Sequence, residues 1–424
     1  MKILFIACYS PFINNSAAIE SLQYLNKLNE IDGNEVHLLT VKFPTNSIYY
    51  DEKLSKLLHK DIKVYEVDGG RIFNKLIPRK RDQEVNSSDN DGGNSRKILR
   101  KIKNSIVIPD MYYNWSIKAS KVGIEIVKKE KIDVIFSMHE PPSSHLCAYK
   151  VKKEFKDIPW ITYWSDPWLK DSTKENSIFI KKIIERKMEK KVVDLSDKFI
   201  FVTEANRSDY IDTYNIDKNK TEIITRGFDK NLFNKLELRE EPNLIKKDKI
   251  NILYAGEIFC KLRNINPFIE AVTNLKRTNL DLYEKMNILF FGNIDDIEAK
   301  NKLKEIDIAN VQGRIPFEDA LTYMLNCDVL LLFGNKASKQ IPAKIYEYFG
   351  ARGKILVIYG DEDDPIKGLV DNHYKCITCN NYTEEIVKVL KKILETPKEE
   401  LYTEVDYRYE WDNIISRLNK ILEV

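Results

Sequence analysis

Lys344 and Glu347, three residues apart, have the types and spacing that could do chemistry. Residues three apart share a face of an α-helix, and Pro342 suits the first helical position, where its missing N–H would have no helical partner. The free amides and the positive end of such a helix favour a phosphate. A cation beside phosphates and a carboxylate that accepts from two ribose hydroxyls would together hold a nucleoside diphosphate. Alternatively, the two side chains form only a surface ion pair, worth a few tenths of a kcal/mol.

Polar and aromatic side chains also follow two other apolar runs. His139 and Glu140 come after the first run, and Trp164 and Asp166 come at the end of the next. Ligands of open α/β sheets bind outside the carboxyl ends of the strands, so we predict that His139 and Asp166 contact a ligand. The alternatives are a structural loop histidine, an Asx turn before the next proline and, for Trp164, a place in the core.

The elements that must position these residues alternate between strand and helix. Residues 2–8 and 35–41 read as buried strands joined by a helix, the start of a Rossmann-like sheet. Residues 329–333 and 355–359 are again nearly continuous apolar runs, which suits parallel strands covered on both faces. A chain of 424 residues is long enough for two such domains. We therefore predict an α/β protein with two parallel sheets.

Composition excludes several functional classes. A net charge of +3 with 31% charged residues gives no nucleic-acid footprint, and the loop after the first strand lacks the G-x-G-x-x-G of dinucleotide dehydrogenases. Six scattered cysteines indicate buried thiols in a reducing compartment, and the Cys376/Cys379 pair lacks a zinc ligand set. The start of the chain resembles a strand more than a signal peptide, and no apolar run approaches ~18 residues. We expect a cytoplasmic protein without a metal site.

One segment suggests a surface contact. Residues 82–95 have the composition of a disordered loop, and 96–108 follow as a basic amphipathic helix. Such a helix is compatible with docking on an anionic membrane surface. An ordinary solvated helix packed on the domain is the alternative.

Two longer segments carry a resemblance to a known family. Residues 341–358, IPAKIYEYFGARGKILVI, resemble the donor-site segment of retaining family 4 glycosyltransferases of the GT-B fold, with its pattern K-[IL]-[FY]-E-Y-[LF]-x-x-G-K-P-[IV]-L. Residues 108–168 resemble bacterial surface-polysaccharide glycosyltransferases, with P-D-x-x-x-x-W, D-V-I-x-[ST]-x-x-P-P-x-S-x-H and I-P-W-x-x-x-x-x-D-P-W. Residues 225–233 match the family's N-G-x-D-x-x-x-F signature in part.

The resemblance implies a GT-B fold, with two Rossmann-like domains facing a cleft. The predicted domains are an N-terminal acceptor-binding domain, a linker, a C-terminal nucleotide-sugar-binding domain and a helix that returns to the N-terminal domain. Their predicted ranges are 1–236, 237–249, 250–405 and 406–424.

The resemblance also implies roles for individual residues. Arg263, whose planar fork suits phosphate, and Lys261 would clamp a diphosphate, and the turn with Arg314 and Ile315 would hold uracil or guanine. Lys339 stands where the family commonly has a second glutamate. The predicted donor-binding residues are Gly256, Lys261, Arg263, Arg314, Ile315, Lys339, Lys344 and Glu347. Asn15, Glu140 and Trp164 are predicted on the acceptor side, with His139 and Asp166 orienting the acceptor hydroxyl.

The implied activity is a retaining, metal-independent transfer of a hexosyl or N-acetylhexosaminyl group. The donor would be a UDP- or GDP-linked sugar, and the acceptor a glycan or a lipid-linked glycan of capsule, O-antigen or exopolysaccharide assembly. No cofactor is implied, and the expected location is cytoplasmic, with contact to the inner face of the membrane through 96–108. Two alternatives stay open, a sugar-nucleotide epimerase of the same fold and a non-catalytic nucleotide-binding scaffold.

Overall fold

The computed structural model describes residues 1–9, 11–80, 107–169 and 179–423. The chain divides into two compact units. The first unit comprises Met1–Ile224 with Ile415–Val424, and the second comprises Thr225–Ile414. Residues 225–249, which include the predicted linker, are grouped with the second unit.

The described residues of the first unit form a seven-stranded parallel sheet in the order β3-β2-β1-β4-β5-β6-β7. Its strands are β1 Lys2–Ala7, β2 Glu35–Lys42, β3 Lys63–Asp68, β4 Val134–His139, β5 Trp160–Trp164, β6 Lys198–Phe201 and β7 Thr221–Ile223. Its helices are α1 Ser16–Asn29, α2 Glu52–Ser55, α3 Gly70–Leu76, α4 Tyr113–Glu130, α5 Ser143–Glu154, α6 Phe179–Leu195 and α7 Glu204–Tyr214.

The central strands of this sheet are apolar because helices cover both faces. All six residues of β4 and all five of β5 are buried, as in parallel sheets generally. Helix α4 packs against the sheet through Trp115, whose indole N–H donates to the Thr40 carbonyl at 3.2 Å. The helix ends at Glu130, and the next residue, Lys131, takes the left-handed conformation common after a helix C-terminus.

The second unit forms, in its described residues, a six-stranded parallel sheet in the order β10-β9-β8-β11-β12-β13. Its strands are β8 Ile250–Ala255, β9 Met286–Phe291, β10 Ala309–Gln312, β11 Val329–Phe333, β12 Lys354–Ile358 and β13 Cys376–Cys379. Its helices are α8 Lys230–Glu237, α9 Asn266–Thr278, α10 Leu280–Glu284, α11 Ile297–Lys304, α12 Phe317–Asn326, α13 Lys344–Gly350, α14 Lys367–Val370 and α15 Thr383–Glu395.

The strand order reverses once in each sheet. The reversal lies between β1 and β4 in the first unit and between β8 and β11 in the second. Loops that leave these strands at their carboxyl ends diverge to opposite faces and open a crevice, where α/β proteins bind ligands. The predicted α/β class with two parallel sheets is confirmed.

The last helix, α16 Trp411–Leu422, begins in the second unit and ends in the first. In the first unit, Arg417 donates to the Ile223 carbonyl at 2.9 Å, and the Asn34 amide donates to the Asn419 side chain at 2.9 Å. Two predictions concern residues outside the described ranges, since the predicted loop 82–95 and most of the predicted basic helix 96–108 lie within 81–106. Among the helices that are described, none is both long and apolar enough to cross a bilayer.

Candidate functional site

Lys344 and Glu347 lie together at the start of α13, as their spacing predicts. The Lys344 Nζ is 3.4 Å from a Glu347 carboxylate oxygen, and both side chains are partly exposed. Helix α13 begins at Lys344, so the prediction that Pro342 opens the helix is wrong. A tighter turn comes first, in which the Ile345 amide donates to the Pro342 carbonyl at 3.2 Å. The side chains, rather than the first helical amides, therefore define this part of the site.

The loop after β8 runs directly beneath the Lys344 side chain. A Cβ atom added at Gly256 would lie 3.3 Å from the Cε of Lys344, so the two predicted donor-binding residues are in contact. Gly292, at the end of β9, packs against the same loop with a φ of +131°. A Cβ at Gly292 would lie 2.0 Å from the Gly256 carbonyl oxygen. Glycine at position 292 lets the β8 and β9 loops approach each other backbone to backbone, and glycine at position 256 leaves room for the Lys344 side chain.

Arg263 is held rigidly at the same switch point. Its Nε donates to the Asn335 side-chain oxygen at 2.9 Å, and its Nη1 donates to the Glu257 carbonyl at 2.8 Å and to the Tyr254 hydroxyl at 3.3 Å. Asn335 is 3% exposed and in turn donates to the Gln340 carbonyl at 3.0 Å. Because Tyr254 lies near the end of β8, and Glu257 and Asn335 lie in the loops after β8 and β11, the guanidinium is fixed where the strand order reverses. Sequence reasoning missed Asn335, whose polarity directly after a buried strand was the available signal.

Glu257 occupies the position where the resembled family often has an arginine. Its carboxylate forms an ion pair with the nearby Arg314. The Arg314 Nε is 2.7 Å from a Glu257 carboxylate oxygen, which also accepts from the Asn293 amide at 3.4 Å. This ion pair ties the loop after β8 to the turn after β10, where Ile315 is half-buried. Arg314 therefore lies beside the β8 loop, and the contact of this turn with a base stays a prediction.

Lys261 and Lys339 are exposed cations on the two loops that flank the switch point. Lys261 follows β8 in a turn, and Lys339 lies between β11 and α13. Their contact with a donor stays a prediction.

In the first unit, the ends of β4 and β5 are tied together. The Ser165 hydroxyl donates to the His139 carbonyl at 2.7 Å, and the His139 ring stacks on Trp164 with centroids 5.8 Å apart. Trp164 is fully buried and its indole N–H donates to the Thr162 hydroxyl at 2.9 Å. The predicted acceptor-side role of Trp164 is therefore not supported, because its side chain belongs to the core. Asp166 lies next to Ser165 and is partly exposed.

Asp110, part of the P-D-x-x-x-x-W match, organises the loop after β4. Its carboxylate accepts from the Tyr112 amide at 2.7 Å, from the Ser143 hydroxyl at 2.7 Å and from the Ser143 amide at 3.1 Å. Ser144 accepts from the Cys8 amide at 2.9 Å, which links this loop to the end of β1. The motif therefore encodes a cap on α5 that fixes the loop containing Glu140, a role that the sequence pattern did not disclose.

The loop after β1 contributes Tyr9 and Asn15. Burial raises the pKa of the Tyr9 phenol, and the nearby carboxylates of Glu140 and Asp110 raise it further, so the hydroxyl stays protonated. Asn15 is the N-cap of α1, and its side-chain oxygen accepts from the Ala18 amide at 2.7 Å. A cap explains Asn15 without a ligand, and its acceptor-side role stays a prediction.

Comparison with known proteins agrees with this architecture. Residues 81–232 match the family model for Glycosyltransferase Family 4. HepE from Anabaena, solved in complex with UDP, is 13% identical, with 100% of both chains covered and a TM-score of 0.61. A glycosyltransferase from Rickettsia africae is 14% identical, covering 100% of this chain and 97% of that chain, with a TM-score of 0.64. The fold is GT-B. The chain is thus similar to family 4 glycosyltransferases.

The GT-B likeness extends to a second enzyme class. A putative UDP-N-acetylglucosamine 2-epimerase from Listeria monocytogenes is 12% identical, covering 100% of this chain and 95% of that chain, with a TM-score of 0.59. No curated protein sequence matches the chain. Identities this low establish the GT-B fold and leave the reaction open.

Three potential metal ligands lie close together near the start of β2, at the amino ends of the strands in the sheet of the first unit. Glu35, His37 and Glu130 place their ligand atoms within 4.8 Å of one another. The Lys63 ammonium pairs with both carboxylates, 3.1 Å from Glu130, and burial lowers the pKa of His37. Lys63 therefore already supplies the positive charge that the two carboxylates need.

His145 cannot act as a base in this GT-B protein. Its ring is buried against Trp164, with centroids 4.4 Å apart, and its Nδ1 lies 2.8 Å from the Ser137 hydroxyl. Burial lowers the pKa of His145 to about 3, so the ring stays neutral at physiological pH. His145 is a structural partner of the aromatic core.

Proposed function

We propose that this protein is a glycosyltransferase that moves a sugar from a UDP- or GDP-linked donor to a glycan or lipid-linked acceptor. The observation that carries the proposal is the group at the switch point of the second unit. Arg263 is fixed there by Asn335, and Lys344 lies over Gly256 with Glu347 beside it. The match of residues 81–232 to Glycosyltransferase Family 4 and the likeness to a UDP-bound structure support it.

In the proposed donor complex, Arg263 and Lys344 hold the diphosphate. These two cations would stabilise the negative charge that develops on the leaving group, without a metal ion. Because Arg263 is already held by three hydrogen bonds, it needs little reorganisation when the donor binds. Glu347 accepts hydrogen bonds from the ribose hydroxyls. Its 3.4 Å ion pair with Lys344 then breaks, and the Lys344 ammonium contacts the phosphates instead. The sugar would be transferred with retention, the departing phosphate assisting attack on the same face.

On the acceptor side, we propose that His139 and Asp166 orient the attacking hydroxyl. Both residues lie at the carboxyl ends of strands β4 and β5, which the Ser165 hydroxyl joins. Glu140 and Asn15 lie on neighbouring loops of the same edge. The resemblance of residues 108–168 to polysaccharide glycosyltransferases supports a setting in capsule, O-antigen or exopolysaccharide assembly, at the inner face of the membrane.

Thermal unfolding with UDP, GDP, ADP and CMP tests the donor site. A nucleotide present at ~100 times its Kd should stabilise the native chain by roughly 2.7 kcal/mol. Glu347→Ala should abolish this gain for the nucleotide that binds. Glu298→Ala is the matched control, because Glu298 forms a comparable pair with Lys302, at 2.7 Å on helix α11 of the same unit. If no nucleotide stabilises the native chain, the donor site is refuted.

An epimerase is the rival activity that the likeness to the Listeria monocytogenes protein favours. Incubation with UDP-N-acetylglucosamine in the absence of an acceptor separates the two reactions. A transferase leaves the sugar configuration unchanged and releases UDP only when an acceptor is added, whereas an epimerase converts the sugar without one. Nucleotide binding without either reaction would support the scaffold instead.

A further inference from the structure

Helix α6 has an inverted distribution of polarity. Three large apolar side chains in its first turns, Phe179, Ile180 and Ile183, are 75%, 66% and 41% exposed. On the same helix, the glutamates Glu185 and Glu189 are each only 2% exposed. An ordinary surface helix would place these residue types the other way round.

The buried glutamates fix the rotation of α6. The Trp168 indole N–H donates to Glu185 at 2.9 Å, and the hydroxyls of Tyr210 and Tyr214 donate to the two oxygens of Glu189, the latter at 2.8 Å. A buried carboxylate without such partners would cost several kcal/mol. These bonds therefore hold the glutamates against the domain and turn the apolar residues of the first turn outward. Among the described residues, these hydrogen bonds account for the exposure of the apolar side chains.

On the exposed face of α6, the apolar residues of the first turns are followed by cationic residues further along the helix. Ile183 lies four residues after Phe179, and Arg186 and Lys187 lie three and four residues after Ile183, so all share one side of the helix. Arg186 and Lys187 are exposed, as are Lys190 and Lys191 one turn further on. Apolar side chains followed by cations match the boundary of an anionic bilayer, where the former enter the acyl region and the latter meet the headgroups.

We propose that the exposed face of α6, formed by Phe179, Ile180, Ile183, Arg186 and Lys187, docks on a membrane surface that contains anionic lipids. Positive charge on the face selects the anionic surface as its occupant. The residues of this face are none of those predicted to bind the donor, and none of them belongs to the predicted basic helix 96–108. The docking therefore does not depend on the proposed reaction.

Co-sedimentation of the full chain with lipid vesicles tests the docking. Wild type should bind phosphatidylcholine vesicles that contain phosphatidylglycerol, and bind pure phosphatidylcholine vesicles much more weakly. Phe179→Gln/Ile183→Gln should weaken binding by on the order of tenfold or more, because each loses an apolar side chain from the bilayer. Leu238→Gln/Ile297→Gln is the matched control, since these side chains are 88% and 75% exposed in the second unit.

The electrostatic part has its own variant. Arg186→Gln/Lys187→Gln should lower binding by about fivefold per cation and flatten its dependence on salt. All variants replace exposed side chains, so they should unfold at the wild-type temperature and keep the stabilisation by nucleotide. Their failure to bind vesicles would leave the proposed transferase untouched.

Three results would overturn the docking. One is equal binding of wild type to anionic and neutral vesicles, and another is wild-type affinity of Phe179→Gln/Ile183→Gln. The third is self-association of wild type in gel filtration that the double variant removes without any change in vesicle binding. That last result would assign the face to a second copy of the chain.

Discussion

The hydrogen bond between Asn335 and Arg263 offers a sharp test of the donor site. Asn335→Ala removes the oxygen that accepts from the Arg263 Nε at 2.9 Å, while the bonds from Arg263 to the Glu257 carbonyl and the Tyr254 hydroxyl remain. The guanidinium would stay near the switch point but lose the contact that orients it. We expect UDP to bind more weakly to this variant.

The magnitude follows from the bond and from the freedom that the side chain regains. A hydrogen bond to a charged group contributes ~1.5 to 3 kcal/mol, and a mobile arginine loses up to ~2 kcal/mol of rotamer entropy when a ligand fixes it again. Two of the three contacts survive, so we expect a loss near the lower end, about 1.5 kcal/mol. This loss corresponds to a roughly tenfold rise in the Kd for UDP.

Calorimetric titration with UDP and with uridine separates the phosphate from the base. Because Arg263 acts on the phosphates, uridine should bind Asn335→Ala and wild type equally. In the background of Arg263→Ala, the second substitution Asn335→Ala should have little further effect on UDP binding, since the partner through which Asn335 acts is gone. Asn381→Ala is the matched control, because the Asn381 amide donates to the Asn264 carbonyl of the same loop at 2.8 Å.

Two outcomes would refute the role of Asn335. If the losses caused by Asn335→Ala and Arg263→Ala add up in the double variant, Asn335 does not act through Arg263. If uridine loses as much affinity as UDP, the substitution has disturbed the fold of the second unit rather than the phosphate contact.

Two further predictions concern stability. Gly292→Ala should lower the free energy of unfolding by more than ~2 kcal/mol, because the φ of +131° and the 2.0 Å approach to the Gly256 carbonyl exclude a Cβ. Urea unfolding measures this loss. The control Gly313→Ala, at a position with open space around it, should change the free energy of unfolding little. Burial raises the pKa of all six thiols, so the unfolded chain ionises first above pH 9 and stability should fall, by about 1.4 kcal/mol per fully buried thiol at pH 10. Burial lowers the pKa of Lys375 to about 8 and also lowers the pKa of Lys150, and both lysines oppose this change. Urea unfolding under reductant at pH 8 and pH 10 measures the net effect, and a rise in stability would contradict the prediction.

Much of the architecture could be read from local sequence. The apolar run that predicted a strand over 35–41 corresponds to β2, Glu35–Lys42, and the run predicted over 355–359 corresponds to β12, Lys354–Ile358. Buried parallel strands need apolar residues on both faces, so a continuous apolar run in the sequence indicates where such a strand lies. The pairing of Lys344 with Glu347 was equally local, since helical spacing brings them together.

Contacts between distant segments were not predictable in this way. Asn335 meets Arg263 across 72 positions of the chain, and no local pattern indicates that contact. The sequence of α6 contains many charged residues and does not show which of them are buried, whereas in the structure Glu185 is buried and accepts from the indole of Trp168. Trp164 lay at a strand end, where ligands bind, but the rings packed around it place it in the core.

The course of helix α16 bears on how the chain is made. Its residues from Ile415 onward belong to the first unit, but the ribosome must synthesise the 190 residues of Thr225–Ile414 before they emerge. At ~5 to 20 residues per second, this delay lasts roughly 10 to 40 seconds. During that interval the nascent first unit lacks the contacts of Arg417 with Ile223 and of Asn419 with Asn34. The surface around Ile223 and Asn34 that α16 later contacts therefore stays uncovered by this helix while the second unit is being synthesised.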